Sequence, residues 1–527
     1  MHQALPSKGR AGVPMRLYRH RRRGAWPLVL AAAIAVAALS LLPVGFVLVV
    51  LVQSGWGTAS ALLFRPRIGE LLINTMLLEV LAVPLSIVLA LALAWLTERS
   101  DLKWRALWRW LAVAPLAIPA FVQAYAWDSA IPVLRGLWPA VLVSVLAYFP
   151  LVYLPVIAQL RRLDPAMEDV AATLGTRPLA VFLRVVLPQL RLAISGGALL
   201  IALHLLSEYG LYVLIRYDTL TVAIVSQFQA VYDGPAANLM GIVLVFLAVV
   251  FLAAEAWMRG ERRYARVGGG AARQVALAKL GAWWPLFMAL PLLVTVLAIG
   301  LPVVTLLRWL LIGGVEAWHL PQLAVATWQT AGYALAGAVT VCIMALPIAW
   351  LAARAPGPLQ KTLENIHFQV GALPGVIVAL ALVAVTVRVA LPLYQTVATL
   401  LLAYVLLYLP RAIVSVRASL AQVPVELERA ATALGRPPLI VLVGVTLRLA
   451  FPGIAAGMAL VAMGITTELT ATLMLSPIGT ETLATQFWAR TGEFDHVGAA
   501  PFALAMVILS LPLCVILHSQ ATGARSS

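Results

Sequence analysis

Charged residues are scarce in this chain, and cysteine and lysine are almost absent. Charged side chains make up 11% of the 527 residues, whereas about 25% is usual for a soluble protein. Apolar residues make up 62% of the chain, and the mean hydropathy is +0.96. This balance excludes an ordinary soluble enzyme and a disordered protein. We therefore predict that lipid surrounds most of the chain.

Cysteine frameworks and several catalytic motifs are also missing. The two cysteines, Cys342 and Cys514, lie inside apolar runs, which excludes a disulfide framework and a thiolate metal cluster. The chain has no Gly-x-x-x-x-Gly-Lys-Ser/Thr phosphate loop and no HExxH or GxSxG motif, which argues against an ATPase or a membrane enzyme. We expect no bound cofactor and no resident metal, and any ATP would be used by a separate subunit.

The few charges are mostly positive. Lysine and arginine number 37 against 21 aspartates and glutamates, which gives a net charge of +16. Such an excess can indicate nucleic-acid binding, but these charges fall in short segments between long apolar runs, where they report membrane orientation. Basic segments follow the second, fourth and sixth runs and predict that those loops are cytoplasmic. The pattern predicts no nucleic-acid partner and places both termini in the cytoplasm.

Twelve apolar runs are long enough to cross a bilayer as helices, which takes roughly 20 residues each. Their approximate limits are 27–52, 70–96, 111–132, 138–159, 191–214, 236–257, 283–311, 326–352, 369–392, 394–413, 453–475 and 497–517. The first run follows a basic leader and is too long for the apolar part of a signal peptide, so we expect an uncleaved first span.

The chain contains an internal duplication. Residues recur at a fixed distance, which is 255 positions early in each copy and 260 positions further on. The matching pairs are Asn74-Thr75 with Gln329-Thr330, Pro119 with Pro374, Leu154-Pro155 with Leu409-Pro410, Gly175 with Gly435, Gly197 with Gly457, and Glu208 with Glu468. Because six spans separate the copies, both have the same orientation, as in a parallel repeat.

The sequence thus predicts an all-α integral membrane protein made of two tandem six-helix units, with about twelve spans related by an axis along the membrane normal. A basic cytoplasmic N-terminus is expected over 1–26 and a cytoplasmic tail over 519–527. The two units are expected over 27–258 and 282–518, joined by a cytoplasmic linker over 259–281 that contains three successive glycines.

A short amphipathic helix is predicted after the fourth span of each unit. In the first unit Asp164 is the expected N-cap, Pro165 the first helical residue and Gly175 the left-handed stop. Apolar side chains recur at helical spacing in both copies: Met167, Val170, Ala171 and Leu174, then Leu427, Ala430, Ala431 and Leu434. A helix of this length cannot span a bilayer, so two copies predict a two-fold cytoplasmic partner. The alternative is a helix lying on lipid headgroups.

Placing a carboxylate inside a membrane-spanning apolar run costs free energy, so such residues are candidates for a functional or structural role. Glu208 and Glu468 occupy equivalent positions late in the fifth and eleventh runs. They are candidates to line a cation path or outer gate, together with Pro119 and Pro374, or else each hydrogen-bonds a neighbouring helix. His204 lies one helical turn before Glu208 and is interpreted as a packing residue. Two acids without counterparts, Glu79 and Asp128, are interpreted in the same way.

The segment after the fourth span resembles the EAA loop of MetI-like permeases of ATP-binding-cassette (ABC) importers. The matching residues are Glu168, Asp169, Ala171, Leu174, Gly175, Phe182, Leu187 and Pro188 in the first copy, and Glu428, Ala430, Ala431, Leu434, Gly435 and Leu447 in the second. The second copy departs from the pattern, with Arg429 in place of the usual acid and Arg448 in place of the proline. The resemblance implies that both loops dock on ATPase subunits, in two copies, and transmit their closure.

Further stretches resemble the fused two-half permeases of the iron(III) uptake type. They include residues 115–119, 208–210, 218–221 and 468–488. The resemblance implies a bacterial inner-membrane permease, a periplasmic binding protein that delivers the solute, and iron(III) as that solute. Fused thiamine and phosphonate permeases share this architecture and stay open as alternatives. A twelve-span secondary transporter is a further alternative, although it needs no docking helix after the fourth span.

Overall fold

The structure is a computed structural model that describes residues 26–161, 163, 166–231, 234–259 and 277–522. Over these residues it is built of helices and turns, with a single isolated β-bridge between Ser100 and Ala278. The prediction of an all-α fold is therefore confirmed. Most of the predicted linker, the first 25 residues, the last five residues and the expected cap at Asp164 and Pro165 lie outside the described residues.

Fourteen helices form the first half of the described chain and twelve form the second. Those of the first half are α1 Trp26–Ser40, α2 Leu42–Leu63, α3 Pro66–Arg99, α4 Arg105–Val113, α5 Ala120–Ala130, α6 Leu137–Tyr148, α7 Pro150–Leu160, α8 Ala166–Thr173, α9 Pro178–Val181, α10 Leu187–Gln189, α11 Arg191–Ser207, α12 Gly210–Leu214, α13 Leu220–Val231 and α14 Gly234–Arg259. Those of the second half are α15 Trp284–Thr295, α16 Leu301–Gly313, α17 Leu320–Arg354, α18 Pro358–Val370, α19 Gly375–Val389, α20 Val397–Ala421, α21 Val425–Ala433, α22 Pro438–Val441, α23 Arg448–Thr466, α24 Thr470–Leu475, α25 Leu483–Gly492 and α26 His496–Thr522.

Nine helices in the described ranges are long and apolar enough to cross a membrane, and three bent pairs raise the number to twelve if each pair is one span. Bends of 92° and 99° fall within the runs predicted at 111–132 and 369–392, and the third bend, of 64°, falls at Leu190, just before the run predicted at 191–214. The prediction that the runs at 111–132 and 369–392 are continuous helices is therefore wrong.

Prolines explain two of the bends. Pro119 and Pro374 stand immediately before α5 and α19, where each is the N-cap residue. A proline lacks the N–H group of a helix interior, and its ring disfavours helical geometry in the residue before it. Ile118 accordingly has extended backbone angles. The chain therefore turns sharply at each proline instead of crossing straight.

Close helix packing forms the centre of each half. Helices α3, α7 and α11 pack together in the first half, and α17, α20 and α23 do so in the second. Glycines permit this approach, since a Cβ on Gly197 would lie 2.7 Å from the Cα of Val152, and one on Gly457 would lie 2.6 Å from the Cβ of Ser415. Small residues play this part between membrane helices because they let two backbones come close.

The two halves interlock through their outer helices. Helix α14 of the first half packs on α19 of the second, α26 of the second half packs on α7 of the first, and α1 packs on α17 and α18. The surface between the halves is thus bordered by elements of both. It includes the region around Glu208 and Glu468.

Candidate docking helices and translocation path

An arginine at the end of a long helix binds the predicted docking helix of the first half. Arg99 is the last residue of α3, and its Nη2 lies 3.0 Å from Oε1 of Glu168 in the first turn of α8. The same guanidinium donates to the carbonyl of Leu160, the last residue of α7, at 3.3 Å. Burial raises the pKa of the Glu168 carboxyl, while the positive charge of Arg99 opposes that shift.

The second half repeats this contact with more hydrogen bonds. Arg354, the last residue of α17, donates from Nη2 and Nε to Oε1 of Glu428 at 2.7 and 3.1 Å. It also donates to the carbonyl of Val423 at 3.0 Å. The Thr446 hydroxyl adds a third bond to Glu428 at 3.0 Å, whereas Val186 stands at the equivalent position of the first half. Helix α21 is therefore held more firmly than α8.

The apolar faces of both docking helices point away from the protein. Leu174 is 80% exposed and Leu434 is 82% exposed, and Met167, Val170 and Leu427 are also exposed. Helix α21 buries none of its residues. Each glutamate thus attaches its helix to the bundle, which leaves the apolar stripe uncovered.

The other residues predicted for these loops lie around the same helices. Asp169 and Ala430 are exposed, and Ala171 and Ala431 are half-buried. Gly175 and Gly435 have φ angles of +79° and +81°, the left-handed conformation that ends a helix. A side chain other than glycine would be strained at either position.

Glu208 lies between two helices, at the break after α11. Its Oε1 accepts a hydrogen bond from the backbone N–H of Leu211 at 3.1 Å, and so caps the short helix α12. Its Oε2 accepts a hydrogen bond from the hydroxyl of Tyr148 at 2.5 Å. The expectation that Glu208 lies within a continuous span is therefore wrong, because the chain leaves the helix at this residue.

Glu468 occupies the equivalent break between α23 and α24. Its Oε1 accepts from the backbone N–H of Ala471 at 3.0 Å, and its Oε2 accepts from Tyr408 at 3.3 Å. Tyr408 also donates to the carbonyl of Gly464 at 2.8 Å. The two carboxylates are close enough to interact electrostatically. The helix-capping alternative is thus realised in both halves, at a place that faces the other half.

Several polar contacts join the halves, and one of them lies beside these breaks. Arg411 on α20 places Nη2 at 3.4 Å from Nε2 of His204 on α11, and its guanidinium lies 5.2 Å from the centre of the Tyr408 ring. Nδ1 of His204 lies 2.7 Å from the carbonyl oxygen of Leu200, which can only accept. Nδ1 therefore carries the hydrogen, and Nε2 accepts from Arg411. His204 thus connects the two halves.

The bends at Pro119 and Pro374 lie beside these breaks. A Cβ on Gly375, which follows Pro374, would lie 3.6 Å from Oε1 of Glu468. On the first side, a Cβ on Gly210 would lie 2.8 Å from the Cβ of Phe121, two residues after Pro119. All four residues predicted for the path therefore fall into two corresponding regions. In the part of the chain that the structure describes, no group of three or more His, Cys, Asp or Glu side chains could hold a metal ion.

Corresponding hydrogen bonds correct the alignment of the repeat. Tyr148 and Tyr408 each bind the glutamate 60 residues further on. The distance between the copies is therefore already 260 at Tyr148, which pairs Pro410 with Pro150. The predicted pairing of Leu154-Pro155 with Leu409-Pro410 is wrong by five residues. The longer helix α19, of 15 residues against 11 in α5, accounts for most of the insertion.

Several residues of these sites were missed by sequence reasoning. They are Arg99, Arg354, Thr446, Tyr148, Tyr408 and Arg411. The two arginines were interpreted only as charges that set orientation, or not considered, although they stand 255 positions apart. Tyr148 and Tyr408 do not match each other at the distance of 255 residues that the sequence alignment uses there, so the repeat gives no signal for them. Arg411 and Thr446 have no counterpart in the first half, so the repeat gave no signal for them.

Known proteins resemble this chain over most of its length. Residues 345–522 match the family described as binding-protein-dependent transport system inner membrane component. The chain is 34% identical over 476 residues to the Fe(3+)-transport system permease protein FbpB 2 of Haemophilus influenzae, covering 89% of this chain and 93% of that protein. It is 26% identical over 238 residues to the sulfate transport system permease protein CysT of Escherichia coli, covering 41% of this chain and 86% of that protein. The sulfate permease CysW of Synechocystis sp. is 26% identical over 201 residues, 34% of this chain and 72% of the relative.

A helical bundle built twice, with two exposed amphipathic helices and polar breaks facing each other between the halves, together with these relatives, places the chain among membrane transport subunits. The chain belongs to the inner-membrane components of binding-protein-dependent transport systems, which are the permeases of ABC importers. It is a multi-pass protein of the inner membrane.

Proposed function

We propose that this permease imports iron(III) into the cytoplasm. The observation that carries the proposal is the 34% identity to an Fe(3+)-transport permease across 89% of the chain, since that alignment is long enough to include both halves. The sulfate permeases align with no more than 41% of the chain. The iron(III) permease therefore matches both halves of this internally duplicated chain, whereas each of these sulfate permeases matches less than half of it.

Two ATPase subunits dock on α8 and α21 in this proposal. Both helices present apolar side chains outward while an arginine holds their glutamates, an arrangement suited to burial against another protein. The chain itself has no phosphate-binding loop, so ATP hydrolysis is left to those subunits. Motion of a docked helix would pass through Arg99 or Arg354 to the long helices α3 and α17. No resident cofactor is part of the proposal.

The docking helices face the cytoplasm, and a periplasmic binding protein delivers the solute at the opposite side. Arginine-rich segments at 99–109 and 259–273 support this orientation, because basic loops stay on the cytoplasmic side. Both termini are then cytoplasmic. The two permease units extend over 27–258 and 282–518, and the solute passes between them near Glu208, Glu468, Pro119 and Pro374.

A ligand screen on the cognate binding protein tests the choice of solute. Ferric iron, thiamine, a phosphonate and sulfate are compared by calorimetric titration under one set of conditions. We expect tight binding of ferric iron alone. Tight binding of thiamine, phosphonate or sulfate, with none for ferric iron, would overturn the iron assignment and leave the permease assignment intact.

A further inference from the structure

The two path glutamates are held unequally by their tyrosines. Tyr148 donates to Glu208 at 2.5 Å, a short contact with a charged acceptor. Tyr408 lies 3.3 Å from Glu468 and makes its shorter bond, 2.8 Å, to the carbonyl of Gly464. The Tyr408 hydroxyl carries one hydrogen. Because it donates mainly to the carbonyl of Gly464, its hydrogen bond to Glu468 is the weaker one. The tyrosine bond to Glu468 is therefore weaker than the tyrosine bond to Glu208.

A small polar cavity of about 10 Å³ adjoins Glu468. This is roughly the space that one water molecule needs. Residues that carry hydroxyl groups make up most of its lining, including Thr330, Tyr333, Thr466 and Thr472. At the positions equivalent to Tyr333 and Thr466 the first half has Leu78 and Leu206. The second half therefore has two lining hydroxyl groups that the first half lacks, whereas most of the other lining positions are polar in both halves.

Two further differences favour an open approach to Glu468. Gly375 lies against Oε1 of Glu468, where a Cβ would stand only 3.6 Å away, whereas the first half has Ala120 at the corresponding position. Arg411 adds a positive charge close enough to interact with Glu468, and the first half has Leu151 instead. The guanidinium contacts His204 of the other half, so it neutralises Glu468 at a distance without occupying its oxygens.

We propose that Glu468, and not Glu208, is the carboxylate that meets the transported solute. Its oxygens and the neighbouring hydroxyls suit a highly charged cation that prefers oxygen ligands. Arg411 balances the negative charge of Glu468 before the solute binds, and the bound cation then balances it instead. Both glutamates cap a short helix, and in this proposal capping α12 is the only role of Glu208. The inference rests on the proposed import of a cation and narrows its path to one residue.

Matched substitutions in the complete transporter test the inference. Glu468→Gln and Glu208→Gln are each reconstituted in vesicles with the ATPase subunits and the binding protein, and initial rates of ferric iron uptake are compared at equal amounts of assembled complex. We expect Glu468→Gln to lower the rate about tenfold or more, since one charge-assisted contact with the solute is lost. Glu208→Gln should change it less than about threefold and lower the thermal midpoint of the complex instead.

A second pair of variants tests the same inference without changing either glutamate. Gly375→Ala imitates the first half and should slow uptake without moving the thermal midpoint, while Ala120→Gly should leave uptake unchanged. Equal losses in Glu468→Gln and Glu208→Gln, a larger loss in Glu208→Gln, or wild-type uptake in Glu468→Gln would overturn the inference. If the wild type fails to carry iron, the iron assignment fails separately. The same four variants are then compared with the solute that the binding protein selects.

Discussion

At the residue scale, Glu79 is a buried carboxyl group without a hydrogen-bond partner in the described ranges. It lies within α3, is 4% exposed, and neither carboxylate oxygen has a hydrogen-bond partner there. A buried polar group without a partner costs about 1–3 kcal/mol, and a charged one costs more. The sequence showed an intramembrane acid without a counterpart, and it could not show whether a partner was near.

Replacing Glu79 should therefore stabilise the protein. Glu79→Met keeps the length of the side chain and removes the unpaired carboxyl. We therefore expect the free energy of unfolding to be about 1–3 kcal/mol higher than in the wild type. The matched control is Glu98→Met, which removes a carboxylate that accepts from Arg161 at 2.8 Å and should lower stability. Thermal unfolding in detergent measures both. A midpoint for Glu79→Met below that of the wild type would contradict the account.

Arg354 is predicted to connect ATPase closure to the bundle. Arg354→Gln should lower uptake while the assembled amount of the transporter falls less, because Glu428 loses two of its three hydrogen bonds. The charge swap Arg354→Glu with Glu428→Arg should restore part of the uptake, since the ion pair is rebuilt in reverse. Arg436→Gln, an exposed arginine on the same loop, is the control. No rescue by the swap, with a loss equal to that of the control, would argue against this role.

At the element scale, the docking helices depend on a face that the bundle leaves uncovered. Leu174→Asp with Leu434→Asp places a charge on the most exposed leucine of each apolar face, at its C-terminal end, so we expect at least about a tenfold loss of co-purified ATPase. Thr173→Asp with Ala433→Asp adds the same charges one residue away, outside the predicted stripe, and should lose much less. Pull-down from detergent extracts measures both pairs. Equal recovery of the ATPase with the two double variants would show that these apolar faces do not form the docking surface.

Helical periodicity predicts the apolar faces of the short helices, but it does not predict where the long apolar segments bend. The stripe of Met167, Val170 and Leu174 was evident from its spacing because a helix of 3.6 residues per turn aligns those positions. The bends at Pro119 and Pro374 were not predicted, although both prolines were noted. The length of an apolar run indicates that the segment lies in lipid, but it does not indicate where the helix bends or breaks. The breaks at Glu208 and Glu468 were missed for the same reason.

At the scale of the whole molecule, duplication made most of the fold predictable from sequence. Residues equivalent in both halves, such as Glu168 and Glu428, could be found by their spacing alone. Contacts between the halves could not, because the link from Arg411 to His204 joins residues that have no repeat counterparts. The differences between halves are therefore where sequence reasoning stopped. In the proposal above, these differences also distinguish Glu468 from Glu208.

Transport by the purified system tests the central claim most directly. The permease is reconstituted in vesicles with its ATPase subunits and loaded binding protein, and uptake of radioactive ferric iron is measured with and without ATP. The account predicts uptake that requires ATP and the binding protein together. Vesicles that take up sulfate, thiamine or a phosphonate under these conditions, and no iron, would contradict it.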